Sequence, residues 1–369
     1  MSERKGPLRV GLIGVGWGAV VQAPAFRMVP EFEVAALCSR RPERVEAAGE
    51  RLGIADVSTD WRAFVERDDL DIISICTPVD LHYEQTLAAI AAGKHVLVEK
   101  PVGLNSAQTG EMLAAAEAAG VCHAVCFESR WEPPRYAVRE LIRSGHLGTP
   151  YFVTTRSGAD YWHPTRGLQS EWMYRTAEGG GYLMGMGSHD IEYICSMFGD
   201  PVAVCADVRS NVPERLRADG TTLAVDADDT SVLLIRMANG ALVTILTTAI
   251  AFQQNFRSFD AFGSDGSVSM GGALMGESEP EIRQGAVGAD GLQTVEPVAR
   301  MPRSGMEPPK RRAGPSIQAL ALMLEDWLPA FSGGESGAPS LRDGHRVARI
   351  IDAARESAAG AGWVPMVSA

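Results

Sequence analysis

The sequence predicts an α/β protein of two domains: a doubly wound parallel sheet over residues 1–127, and a second α/β domain over 128–369 in which a mostly antiparallel sheet dominates. Three observations predict it. The apolar run Val10 to Ile13 breaks into Gly14-Val15-Gly16-Trp17-Gly18-Ala19 and continues as a helix-competent segment through Ala25, Phe26 and Met28, which reads as strand, tight turn, helix. From there to Phe127, strand and helix signals alternate across short connections, as parallel strands with crossover helices require. Beyond Phe127 to Pro134 the alternation stops, and long strand signals follow one another without helices between them.

Taken in order, Phe32 to Cys38 forms the second strand, and a helix follows from Pro42 to Leu52, with proline at a favoured first-turn position and Gly53 as its stop. Asp60 caps a short helix running to Glu66, and Leu70 to Cys76 is a β-branched run suited to a strand buried on both faces. Thr77-Pro78 ends that strand. A helix from Leu81 to Ala92 stops at Gly93, His95 to Val98 is a strand leading into Glu99-Lys100-Pro101, and a helix from Ser106 stops at Gly120 before the strand Val121 to Phe127. In the second domain a helix spans Arg135 to Ser144, and strands are expected at Tyr151 to Arg156, Val202 to Val208, Thr230 to Met237, Ala241 to Phe252 and Phe259 to Gly263. Asn239-Gly240 joins two of them as a hairpin. Gly271 to Pro315 reads as an ordered loop or lid, and the helices Ser316 to Phe331 and Leu341 to Ala358 are available to cover the sheet.

Composition narrows the function class. The 369 residues are 46% hydrophobic and 22% charged, an ordinary globular balance, and the net charge of -12 argues against a nucleic-acid partner. The N-terminus lacks an apolar leader and no segment is apolar for long enough to span a bilayer, so a cytoplasmic protein with no membrane partner is expected. The 6 cysteines, Cys38, Cys76, Cys122, Cys126, Cys195 and Cys205, lie mostly in apolar runs and show no metal-ligand spacing. Structural thiols and no metal are therefore expected.

If the glycine run is a dinucleotide fingerprint, Gly14 permits the turn, Gly16 lets the backbone approach a pyrophosphate, and small Ala19 lets the helix pack on the strand, with Trp17 inside the same turn. The phosphates then sit on a helix N-terminus. A carboxylate about 20 residues on commonly holds the ribose hydroxyl of NAD, whereas arginine accommodates the 2′-phosphate of NADP. Here the second strand ends Cys38-Ser39-Arg40-Arg41, which favours NADP over NAD, unless both arginines are merely solvated at a helix start.

These residues resemble a known family. Gly14-x-Gly16-x-x-Ala19, Thr77-Pro78 with His82, Gly93-Lys94-His95-Val96 leading to Glu99-Lys100-Pro101, and Gly179-Gly180-Gly181 reaching His189 are similar to the motifs of the glucose-fructose oxidoreductase and inositol dehydrogenase (Gfo/Idh/MocA) family. The resemblance covers nearly the whole chain. It implies a Rossmann domain, a second domain with a large open sheet often used for oligomerisation (hence a homodimer or homotetramer), and pyridine-nucleotide oxidation or reduction of sugars, glycosides, cyclitols or related polyols. By that likeness Lys100 corresponds to the family's active-site lysine and His189 to its histidine. The family commonly has aspartate four residues before that histidine, and here the position is Gly185.

Oxidising an alcohol sends a hydride from carbon and a proton from oxygen, so a proton acceptor is needed. Lys100 ends a parallel strand, where open α/β sheets bind ligands, and a lysine partly desolvated beside a cationic nicotinamide is suited to take that proton. It could instead only pair with a carboxylate or phosphate. Glu99 either tethers Lys100 or contacts the ribose, while Thr77, Pro78 and His82 belong to the cofactor loop. Ser188 is read as the N-cap of a helix running to Phe198, which places His189 where the dipole disfavours imidazolium, although the ring could serve as a capping group alone. Tyr161, Trp162 and His163 suit stacking on a sugar face or packing. Two other activities fit the same chain: a glycosidase or lyase using retained NAD for transient oxidation, and a nucleotide-binding regulator without catalysis.

Overall fold

A computed structural model describes residues 6–272, 280–297, 300–310 and 313–366. Residues 1–5, part of the stretch read as having no apolar leader, lie outside the described residues, as do 273–279, 298–299 and 311–312 of the expected loop. The chain forms two compact units, Met1–Glu132 with Ala299–His345, and Pro133–Val298 with Arg346–Ala369. Residues 299–345, assigned by the sequence reading to the second domain, thus belong with the first unit.

The first unit carries strands β1 (Leu8–Ile13), β2 (Phe32–Cys38), β3 (Val57–Ser58), β4 (Ile72–Ile75), β5 (His95–Val98) and β6 (His123–Val125). They form one six-stranded sheet in the order β3-β2-β1-β4-β5-β6, every pairing parallel. That order reverses beside β1, which opens the crevice where such sheets take their ligands. Helices α1 (Ala23–Arg27), α2 (Pro42–Leu52), α3 (Trp61–Val65), α4 (His82–Ala91) and α5 (Ser106–Ala119) connect the strands. Ile72, Ile73 and Ile75 are fully buried, as a strand covered on both faces demands. The stops act as their chemistry dictates: Gly53 and Gly120 take left-handed φ of 65°, and Asp60 accepts from the amides of Arg62 and Ala63.

The helix Gly314–Trp327 corrects one expectation. It forms, but packs in the first unit against α1 and the 3₁₀ turn Glu128–Trp131 instead of covering the second sheet. Ile317 and every residue from Ala319 to Glu325 are buried, so this helix is apolar nearly all round and needs neighbours on several sides. Trp327 supplies two ring contacts, 6.2 Å from Phe32 and 4.8 Å from Phe331.

The second unit contains α6 (Pro133–Arg143) and α7 (Ser188–Phe198). Its strands are β7 (Pro150–Gly158), β8 (Pro201–Arg209), β9 (Glu214–Leu216), β10 (Thr222–Ala224), β11 (Thr230–Met237), β12 (Leu242–Thr248), β13 (Phe256–Gly263), β14 (Gly266–Gly272), β15 (Glu281–Ala286), β16 (Gln293–Val295) and β17 (Val364–Pro365). Nine of them form a mixed sheet in the order β16-β15-β14-β13-β7-β12-β11-β8-β17, antiparallel except where β7 meets β12. β9 and β10 make a separate hairpin. β14 to β16 lie within or beside the stretch expected as a loop; its glycines and charges hid short strands at the sheet edge, where propensity is weakest. Val153, Thr155 and Ser157 point inward, while Phe152 and its register partner Phe262 stack at 6.5 Å on the other face. No helix among the described residues is long and apolar enough to cross a membrane.

Candidate active site

The first unit builds a cradle at the end of β1. Gly14 has φ 102°, and a Cβ there would lie 2.1 Å from the Cys76 carbonyl oxygen, so the turn excludes any side chain. A Cβ on Gly16 would meet nothing within 4 Å, which leaves its backbone open to a bulky anion. Ala19 is buried, and Gly18 beside it is packed so tightly that an added Cβ would lie 2.7 Å from Leu12 Cδ2. The helix begins with a π-helical turn over Gly18–Gln22 before α1, and Trp17 stands half exposed at its mouth. Past β2, Ser39 donates its amide to the Ser58 carbonyl, and Arg40 and Arg41 are exposed with no ion pair among the described residues.

The loops after β4 and β5 are tied together. His82, 1% exposed, sets Nε2 2.9 Å from the Thr77 carbonyl and Nδ1 2.9 Å from the Pro101 carbonyl, and burial pushes its pKa down. Thr77 Oγ1 donates to Gln85 Oε1 at 2.7 Å, and Pro78 leads into a 3₁₀ turn over Val79–Leu81. Thus His82 ties the loop after β4 to the loop after β5.

Beneath Lys100 lies a polar cluster that sequence reading missed in part. Glu99 is 7% exposed; its Oε1 accepts from Gln22 Nε2 at 3.0 Å and its Oε2 from the Lys100 amide at 3.1 Å. Gln22 in turn accepts from Ser74 Oγ at 2.7 Å. Burial raises the Glu99 carboxyl above its usual range, and the Lys100 charge opposes that rise. Glu128, on the 3₁₀ turn just past β6, is equally buried and pushed up to about 8 by burial, then by repulsion from Glu99. Gln22 was detectable in principle, as a lone amide among Val21, Ala25 and Phe26 on an apolar helix face. Glu128 gave no sequence signal, because its burial depends on the turn that follows β6.

In the second unit the glycine run has specific work. Gly180 passes so near that a Cβ would sit 2.6 Å from the Met173 and Trp172 carbonyl oxygens, and Gly181, at φ 113°, faces Asp228 Oδ1. Asp228 Oδ2 accepts the Leu183 amide at 2.7 Å and its carbonyl accepts that of Tyr182 at 2.8 Å, which anchors a π-helical turn over Leu183–Gly187. Burial pushes the Asp228 carboxyl up to about 6. This turn runs directly into α7, with Ser188 in right-handed helical conformation. His189, 6% exposed, therefore sits a full turn inside a helix, not beside a free N-terminus as the Ser188 cap implied. Ser188 has the side chain of a cap, but the Asp228 carboxylate, supplied from a distant part of the chain, fastens the turn before it and lets the helix begin earlier.

A Cβ on Gly185 would meet nothing within 4 Å, so the residue opens on free space. Next to His189, Asp190 is fully buried; it accepts from Arg135 Nη2 at 2.8 Å and Ser157 Oγ at 2.7 Å, and Arg135 lies 4.1 Å over the Tyr193 ring. Of the three aromatic candidates, Trp162 is 3% exposed and packs between the Tyr174 and Tyr182 rings at 4.8 and 5.8 Å. Tyr161 packs at the edge of that cluster, and His163 stacks on half-exposed Phe252 at 4.4 Å.

The parallel sheet, the glycine turn open at Gly16 and the lysine at a strand end define a dinucleotide-dependent oxidoreductase. Residues 8–127 match the oxidoreductase family described as an NAD-binding Rossmann fold, and 136–269 match the GFO/IDH/MocA C-terminal domain. The chain belongs to the Gfo/Idh/MocA family of NAD(P)-dependent oxidoreductases. It is 28% identical over 388 residues to levoglucosan dehydrogenase of Pseudarthrobacter phenanthrenivorans, covering 98% of this chain and 99% of the other. It is 26% identical to an NADP(+)-dependent scyllo-inositol 2-dehydrogenase of Bacillus subtilis, covering 95% and 93%. A solved structure of levoglucosan dehydrogenase with NADH and L-sorbose superposes with a TM-score of 0.85 at 26% identity, over 98% of this chain and 99% of that one.

Proposed function

We propose that this enzyme transfers a hydride between a nicotinamide dinucleotide and a hydroxyl-bearing carbon of a sugar, glycoside, cyclitol or related polyol. The observation that carries this reading is Lys100 just past the carboxyl end of β5, at the same edge of the parallel sheet as the glycine turn that follows β1. Relatives named for levoglucosan and scyllo-inositol oxidation support the substrate class. The bound dinucleotide supplies the hydride acceptor. Lys100 takes the hydroxyl proton, Glu99 holds the Lys100 backbone, and His189 is the second proton-carrying group. Phe252, half exposed, with the partly buried His163 stacked on it and Tyr161, offers an aromatic face to a sugar, whereas the Trp162 ring is occupied in the core.

NADP is the preferred cofactor, because Arg40 and Arg41 leave their guanidinium groups free at the end of β2 for a 2′-phosphate. The six cysteines, all unpaired, suit a reducing cytoplasm. The outward face of the nine-stranded sheet, with Phe152, Val232, Leu242 and Phe262 each more than a third exposed, takes a second copy of the chain. The test is to screen sugars, glycosides and polyols for a change in nicotinamide absorbance while titrating both dinucleotides. Turnover with NADP bound more tightly than NAD is expected; NAD binding about tenfold tighter overturns the cofactor choice. A dinucleotide that co-purifies and never exchanges, with glycoside cleavage and no net redox change, replaces the dehydrogenase by a transient-oxidation hydrolase.

A further inference from the structure

Two buried carboxylates flank Lys100, and they are not equivalent. Both oxygens of Glu99 are engaged, one by Gln22 Nε2 and the other by the Lys100 amide. Glu128 is 7% exposed, yet its Oε2 is buried with no hydrogen-bond partner. Strand register makes the two residues neighbours: β5 and β6 are parallel with Val98 opposite Val125, and the Cys126 amide donates to the Val98 carbonyl at 2.9 Å. Lys100 and Glu128 therefore leave adjacent strands about 4.8 Å apart, at the end where the sheet binds its ligand.

A buried carboxylate oxygen without a donor is costly to keep ionised and has nothing to do when structural roles are assigned. An ammonium arriving beside it provides the missing donor. We propose that Glu128 takes the proton onward from Lys100, making it a relay that returns the lysine to its neutral amine after each oxidation. This inference rests on the function proposed above. The substrate O–H bond breaks as the carbon gives its hydride and electron pair to the dinucleotide, and the proton forms an N–H bond at Lys100 Nζ. That N–H bond then breaks as an O–H bond forms at Glu128, which afterwards releases the proton to water.

The titration of Glu128 fits the task. Its carboxyl, pushed up to about 8, can be ionised or protonated at working pH, as a proton carrier must be. The groups acting on it are Glu99 and Lys100 past β5, Cys76 past β4, Cys126 past β6, and Glu132 beside its own turn, which also carries Arg130. The helix Gly314–Trp327, packed against that turn, brings Glu325 and Asp326, which are paired with Arg303 and Arg300.

The test compares the parent with E128Q, which preserves shape and removes the titration. In the parent, kcat for oxidation rises with pH through the Glu128 titration. E128Q is expected to lose that limb and at least about tenfold in plateau kcat, while dinucleotide affinity and the melting midpoint at low pH stay unchanged. E128D, which restores a carboxylate, brings back a pH-dependent limb. Superimposable pH profiles for parent and E128Q overturn the relay and leave the proposed function standing. A pH-independent loss together with weakened dinucleotide binding shows a structural role and overturns it as well. No turnover by the parent on any sugar or polyol overturns the function, and the relay with it.

Discussion

Lys100 is the residue to which the proposed function assigns the hydroxyl proton, and that role has a sharp expected outcome. Lys100→Met should lower kcat by at least about a hundredfold, the usual contribution of a general base, with dinucleotide binding retained. Fluorescence titration and steady-state rates on the identified substrate check both halves. Gly185 is the second such residue. Its open surroundings accommodate a side chain, so Gly185→Asp should fold normally. If the gap serves a bulkier substrate group or a water, the natural enzyme turns over and the variant changes KM more than kcat. Turnover in the variant alone would mean that the glycine marks lost catalysis. Asp228 bears on stability. Its carboxyl is raised from 3.8 to about 6, so the folded state holds the proton more tightly than the unfolded chain. The resulting stabilisation is complete below about pH 4 and is lost as pH rises through about 6. Asp228→Asn keeps an oxygen to accept the Leu183 amide and should flatten the melting curve's pH dependence across that window, as calorimetry at several pH values would show.

At the scale of elements, the helix bearing His189 is held by a buried ion pair. Arg135 on α6 and Asp190 on α7 are both nearly inaccessible, with Ser157 on β7 completing the carboxylate's partners. Asp190→Ala would leave the guanidinium buried beside the Tyr193 ring without this carboxylate. A loss of about 3–5 kcal/mol is expected, measurable by denaturant unfolding, together with reduced kcat because α7 carries His189. The sequence showed where α7 runs but not what precedes it. Ser188 has the side chain of a cap, yet the Asp228 side chain, distant in sequence, fastens the preceding π-helical turn and lets the helix begin early. The helix Gly314–Trp327 shows the same limit: its apolar residues foretold burial, while its partners were set by the rings of Phe32 and Phe331.

For the whole molecule, the proposed assembly of copies rests on the outward face of the second sheet. Strand alternation places Phe152 and Phe262 outward and stacked, an apolar pair that a solvated face does not need. Sedimentation should find the parent as a dimer or tetramer, and Phe152→Glu with Phe262→Glu should shift it to monomers while dinucleotide binding persists. A monomeric parent would show that the face is not an interface between copies.

Local chemistry determined the parallel sheet, because β-branched runs, glycine stops and caps act within a few residues of themselves. β2, α2 and β5 run over the residues their composition implied. The tight turn at Gly14 and the place of Lys100 past the end of β5 were legible for the same reason: turn conformation and strand ends are short-range properties. Glu128, Gln22, Asp190 and Asp228 were not, since each acquires its meaning from burial and from a partner supplied by another element. The depth of Trp162 likewise needed the rings of Tyr174 and Tyr182 around it. Only the tertiary structure decides such positions, because desolvation and paired charge depend on everything that packs against a residue, and no stretch of sequence contains its own surroundings.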